Sequence, residues 1–211
     1  MLYGYRLLMI AILSLLAPGE TQAETFAIEG FTVGTRINRE ELERFECNRS
    51  RWTGAERECR KFKEWKHVSA ATSLFLDHQD RLLYLTQKFD NVDLTEKSAE
   101  EVIAAHSKRF KTDPKRMVKQ LGADKIIIAT WGNVELKEID IQTRLATIQG
   151  RQGNEFLFID LIDNLEKSAQ DVLPIYQLKG NNGAIWTFYI RAGVAGWALA
   201  RIINNSEGLQ H

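Results

Sequence analysis

The first apolar run, Leu7 to Leu16, follows Arg6 and is broken by Pro18 and Gly19. Small and polar residues, Thr21-Gln-Ala23, come next. A basic start, an apolar middle and a small-residue end form the plan of a secretory signal peptide. The run is about ten residues, against the ~20 that span a bilayer as a helix. The expectation is a signal peptide over residues 1–23, cleaved after Ala23, with an uncleaved anchor as the alternative. Beyond it the polarity changes period. Phe26-Ala-Ile28 opens an extended segment reaching Val33. Asn38-Arg-Glu-Glu41 then reads as a capping box, with Ile37 and Leu42 spaced for a hydrophobic staple. "ATSLFLDHQDRLLYLTQKF" predicts two strands joined at Asp77–Asp80. Ser98-Ala-Glu-Glu101 predicts a second helix start, with a stripe of Ala99, Val102, Ile103 and Phe110. Pro114 and Gly122 mark a connection.

The remaining pattern predicts strands and turns. Lys125 to Trp131 reads as a buried strand ended by Gly132-Asn133, a favoured hairpin pair. Val134 to Ile141 alternates, and a slip in its apolar phase predicts a bulge or turn at Lys137-Glu138. Leu145–Gln149 and Glu155–Ile162 flank a hairpin signal at Gly150–Asn154. Asn164 to Val172 reads as a short helix stopped by Pro174. Ile175–Leu178 and Ala184–Ile190 flank a further hairpin at Lys179–Gly183. Residues 184–203 are apolar enough to raise a membrane span, but Arg191 falls near the middle at a cost of about 2.5–3.5 kcal/mol. The hairpin explains the first half better. The fold class is therefore α+β, with short helices packed on antiparallel β-meander sheets. Residues 24–122 form a helix/hairpin/helix unit and 123–211 a meander unit with a short helix. The two are loosely alike without a sequence repeat, and they are alternatively one domain.

Composition narrows the function classes. The 28 Lys and Arg balance 28 Asp and Glu, so the basic excess usual for nucleic-acid binding is missing. Cys47 and Cys59 are the two cysteines. Their spacing does not suit a metal pair of C-x₂₋₄-C type. In an oxidising compartment they predict a disulfide, with about 3 kcal/mol of stabilisation in the chain-entropy model. No Cys stands near the cleavage point, which argues against a lipoprotein.

The stretch "IEGFTVGTRINREEL" raises phosphate binding through Gly30 and Gly34. A Walker loop needs G-x-x-x-x-G-K-[ST], and a dinucleotide loop needs G-x-G-x-x-G entering its helix directly. Neither is present, so the stretch reads as strand, turn and helix start. "GFTVGTRINREELERF" followed by a meander resembles the opening of small envelope domains, the β-lactamase-inhibitor-protein-like fold and the SmpA/OmlA-type outer-membrane assembly lipoproteins. Gly34, the capped helix and Leu42 carry the resemblance. It implies a non-catalytic module working by contact with another protein, and it transfers no binding residues.

Candidate chemistry is sparse. His67, His78, His106 and His211 form no H-x-x-x-H pair. Asp77, His78 and Asp80 are a possible metal cluster, but Asp at a hairpin tip serves the backbone. His106 lies by the apolar stripe, where a packed imidazole is the ordinary reading. No G-x-S-x-G elbow is present. Glu135, Glu138, Asp140, Asp160 and Asp163 are the carboxylates available to a hydrolase. No cofactor, metal or catalytic residue is assigned. The surface with most promise is the region between the cysteines and just beyond. There Arg49, Arg51, Arg60, Lys61 and Lys63 interleave with Trp52 and Trp65, a pattern suited to an anionic partner by charge and stacking. Lys108 to Lys119 is a second basic run that could extend it, and acidic residues gather at Asp90 to Glu101. The expectation is a soluble exported protein of the bacterial periplasm. It acts as a non-catalytic binding or protein-interaction module, with another envelope protein or an anionic envelope component as partner. The alternative is an envelope hydrolase with an active site assembled from separate strands. A eukaryotic secreted origin stays open, with Asn48-Arg-Ser50 and Asn204-Asn-Ser206 as glycosylation acceptors.

Overall fold

The computed structural model describes residues 26–50, 55–65, 68–150, 158–160 and 174–204. Residues 1–23, expected as a signal peptide, and Arg51, Trp52, His67, Asp163, His211 and the helix expected over 164–172 lie outside them.

The chain begins with two short paired strands, β1 (Ala27–Ile28) and β2 (Phe31–Thr32). One extended segment was expected to Val33. Instead Glu29 and Gly30, both at positive φ, reverse the chain. Gly34, also at positive φ, turns it again, and residues 34–37 then join residues 80–82. Gly34 N–H donates to the Leu82 carbonyl at 2.7 Å, Leu82 N–H to Thr35 at 2.9 Å, and Ile37 N–H to Asp80 at 2.9 Å. Helix α1 (Arg39–Leu42) follows, and the Glu41 N–H donates to the Asn38 side chain at 2.8 Å. Ile37 and Leu42, on either side of the cap, are both buried in one cluster, as the staple predicts.

All the later strands enter one antiparallel sheet. They are β3 (Glu46–Arg49), β4 (Arg57–Trp65), β5 (Val68–Leu76), β6 (Leu82–Val92), β7 (Lys115–Leu121), β8 (Asp124–Ile139), β9 (Phe158–Asp160), β10 (Ile175–Ile190) and β11 (Gly196–Asn204). Their order is β3-β4-β5-β6-β11-β10-β8-β7, with β9 also beside β10. β6 and β11 are hydrogen-bonded neighbours, so residues on both sides of position 122 share the sheet. The fold is α+β with strands dominant.

Helix α2 (Glu96–Phe110) packs on one face. It starts three residues before the expected box, because Thr95 is the cap. Ser98 N–H donates to Thr95 Oγ1 at 3.1 Å, and Thr95 N–H to Ser98 Oγ at 2.9 Å. The predicted stripe holds: Ala99, Ile103 and Phe110 are buried and Val102 packs at the margin. Trp131, Trp186, Phe188, Leu74 and Leu85 complete this first core. The other face buries Phe75, Tyr84, Tyr176, Tyr189 and Trp197. A sheet buried on both faces reads as apolar runs, which is why Ile126 to Ile128 show no alternation.

Two expected hairpins are absent. Gly132-Asn133 lies inside β8, and Lys179–Gly183 lies inside β10. They pair with each other: Gly132 faces Gly183, Val134 faces Gly180, and the extra residue forms a bulge between Gly180 and Asn182. The bulge or turn expected at Lys137-Glu138 is not found there: the two residues pair regularly with Gln177 and Tyr176. Gly132 has φ +81°, and a Cβ there would meet the Asn182 carbonyl and the Phe26 ring at 2.7 Å. The glycine answers a close approach, not a chain reversal.

Connections differ too. Pro114 and Gly122 bracket strand β7. Residues expected as a strand at Leu145–Gln149 form helix α3 (Ile141–Gly150), whose start is capped by Asp140 accepting from Thr143 N–H at 2.7 Å. Ile141 and Leu145, four residues apart on the helix, are both exposed. Residues 184–203 form parts of β10 and β11 with the turn carrying Arg191 between them. Among the described residues no helix is long and apolar enough to cross a membrane.

Candidate functional site

The disulfide sets the register of the sheet's first edge. Cys47 on β3 pairs directly with Cys59 on β4 and is bonded to it. Arg49 therefore faces Arg57, and Glu46 faces Arg60. Cys59 is fully buried in the first core. Side chains alternate across a strand, so Arg49, Arg57, Lys61 and Lys63 share the cysteines' face. Arg60 points to the opposite face, where it is paired with Glu58. The basic cluster expected from sequence is thus divided between two faces. Trp65 closes β4, with its side chain outside the described part. Lys61 Nζ sits 5.7 Å above the Phe45 ring, and Phe45 meets Phe31 edge-on at 5.7 Å.

Beside this face, between α1 and the disulfide, lies an open cleft of about 820 Å³. Its lining includes Arg36, Arg39, Phe45, Cys47, Arg57 and Asp80. Asp80 takes a left-handed backbone (φ +61°) at the β5–β6 turn and forms an ion pair with Arg57. Arg36 and Arg39 have no ion pair among the described residues. Two guanidinium groups thus line the cleft beside the Glu43 carboxylate and an apolar floor of Ile37, Leu42 and Phe45.

The Asp77–Asp80 segment is a turn. One Asp77 oxygen accepts from Gln79 N–H at 2.7 Å and Arg81 N–H at 2.9 Å, and the other from Arg81 Nε at 2.8 Å. Burial pushes the Asp77 carboxyl up, but these bonds and the Arg81 charge outweigh it and hold it below its ordinary range. His78 is exposed, and among the described residues no His, Cys, Asp and Glu group is placed to hold a metal.

His106 is packed. Its ring lies 5.1 Å from Trp186, 5.4 Å from Phe110 and 6.2 Å from Trp131. Nδ1 is buried without a hydrogen-bond partner, so no carboxylate orients the ring as in a catalytic triad. Burial, then the Arg109 charge, lowers its pKa. Of the candidate carboxylates, Glu138 pairs with Lys119 at 2.6 Å, Asp140 caps α3, Glu135 is exposed on β8 and Asp160 lies on β9.

The second basic run does not extend the first. Its strand part is β7, at the far edge of the sheet from β3 and β4. Arg116 there pairs with Glu100 at 2.7 Å, and the acidic run is further matched by Lys125 on Glu96 and Lys88 on Asp90. The Gly34 N–H is taken by the Leu82 carbonyl.

Sequence reasoning missed Arg36, Arg39 and Arg57 as one group. A signal for Arg57 was present, since a directly paired Cys47–Cys59 bridge places 49 against 57. Arg36 and Arg39 arrive through the long-range pairing of residues 34–37 with residues 80–82, which no local pattern encodes. No family model, curated protein or solved structure matches this chain.

Proposed function

We propose that this chain is an exported protein of the bacterial periplasm that acts as a non-catalytic binding module, taking an anionic group of an envelope partner at the disulfide edge. The observation that carries the reading is the cleft in which Arg36 and Arg39, without an ion pair among the described residues, stand beside Phe45, next to Arg49, Lys61 and Lys63 on the same face. Cations without carboxylate partners around an apolar floor favour an acidic group that also offers some apolar surface. The disulfide supports an oxidising compartment, and the Arg6–Ala23 pattern supports export.

Two measurements test the proposal. Mass spectrometry of the exported protein should find a mature amino terminus at Glu24; an intact Met1 rules out a cleaved signal peptide. Charge reversal by face tests the site. Arg49→Glu should weaken partner binding in a salt-sensitive way, and Arg60→Glu should leave it unchanged. Equal losses in both would remove the cleft face as the binding surface.

A further inference from the structure

The face opposite the cleft carries a cation, Arg201, that has no carboxylate partner among the described residues. Arg201 on β11 is half-buried, and its Nε and Nη1 are shut off from solvent with no hydrogen-bond partner. Two other cations on this face are matched. Arg60 has Glu58, and Lys88 has Asp90 at 3.4 Å.

The register shows what surrounds Arg201. It faces Ile185 on β10 and Thr86 on β6; Thr86 faces Ser73 on β5, and Ser73 faces Arg60 on β4. A transverse row therefore runs Arg60, Ser73, Thr86, Arg201. Its ends are three strands apart, about 14 Å at ordinary strand spacing, with two short hydroxyl side chains between them. Lys88 flanks the row one step along the same face of β6. On the other side is Tyr84, whose buried hydroxyl is pushed to a higher pKa by burial and pulled the opposite way by the Arg201 charge. Along the strand, Arg201 has Leu199 and Ile203 as same-face neighbours, both buried. An apolar residue would suit that setting, and an unmatched guanidinium there is costly.

We infer that this face holds a small-oxyanion site centred on Arg201, taking a carboxylate or phosphate group with the Thr86 and Ser73 hydroxyls as additional donors. Arginine suits such a group because its planar fork meets two oxygens together. The site is independent of the cleft, which lies on the other face.

The test is calorimetric titration with inorganic phosphate and, separately, acetate, at ionic strength matched with chloride, alongside thermal unfolding. Wild-type protein should bind at least one of the two, and which one separates the phosphate from the carboxylate reading. Arg201→Met should lose affinity by about tenfold or more and unfold at an equal or higher temperature in anion-free buffer. The cleft variant Arg36→Glu/Arg39→Glu should keep the Arg201-dependent binding, so failure of the cleft reading and failure of this one are separable. Should Arg201→Met not fold, Thr86→Val should show a several-fold loss. Absence of binding of either anion up to tens of millimolar overturns the inference. So does affinity unchanged in Arg201→Met, or in Thr86→Val where that variant is the one that folds.

Discussion

Asp80 holds the Arg57 guanidinium at the rim of the cleft. The pair joins the β5–β6 turn to β4 and takes one of three lining arginines out of play. Both side chains are about a third exposed (38% and 30%), so the pair contributes at most about 1 kcal/mol to stability. Asp80→Asn keeps a residue that tolerates a left-handed backbone and releases Arg57. Binding of an anionic partner should tighten a few-fold while the unfolding free energy stays within about 1 kcal/mol of wild type. Isothermal titration and denaturant unfolding check the two halves.

The disulfide should matter for the site as well as for the fold. β3 is a four-residue strand whose sheet partner among the described residues is β4 alone, and Cys47 lines the cleft. Reduction, or Cys47→Ser with Cys59→Ser, should cost about 3 kcal/mol. It should also remove hydrogen-exchange protection from Glu46–Arg49 before the core strands are affected. Retained protection at β3 after reduction would show that the ladder alone secures it.

His106 should impose a pH dependence. Its folded pKa lies below the ordinary imidazole value near 6.5, through burial first and the Arg109 charge second. The folded state therefore prefers the neutral ring and binds fewer protons than the unfolded chain. Stability is full above about 6.5 and falls as pH drops from there toward the lowered value. His106→Gln, which does not titrate, should flatten that part of the profile in unfolding experiments run between neutral and mildly acidic pH.

Gly132→Ala should destabilise although the residue is exposed. The added Cβ meets both the Asn182 carbonyl and the Phe26 ring, and the left-handed backbone adds about 1–2 kcal/mol on its own. A total loss of about 2 kcal/mol or more is expected, with the fluorescence of Trp131 reporting any shift at the neighbouring residue. A loss of only a few tenths would mean that this stretch behaves as a free turn.

Features fixed by adjacent residues were readable before the structure: the Asn38 cap, the Asp77–Asp80 turn, the α2 stripe and the pairing of the two cysteines. Glycine was the misleading letter. Gly132-Asn133 and Lys179–Gly183 carry the composition of hairpin turns, but here glycine allows two long strands and Phe26 to approach closely. Helix α3 was missed because Gly150–Asn154 carries a hairpin composition that made Leu145–Gln149 read as a strand, although Asp140 and Thr143 held the cap signal. At the site, Arg49, Lys61 and Lys63 were legible as a basic group. Their separation from Arg60 needed strand parity, and the recruitment of Arg36 and Arg39 needed the pairing of residues 34–37 with residues 80–82.

The most direct test of the binding proposal is capture from a solubilised native envelope by the immobilised mature protein, wild type against Arg36→Glu/Arg39→Glu, across a salt series. The cleft account predicts one or more components retained by wild type, released as ionic strength rises, and lost from the double variant while its unfolding transition is unchanged. Retention of the same components by both proteins, or release that ignores salt, would contradict it.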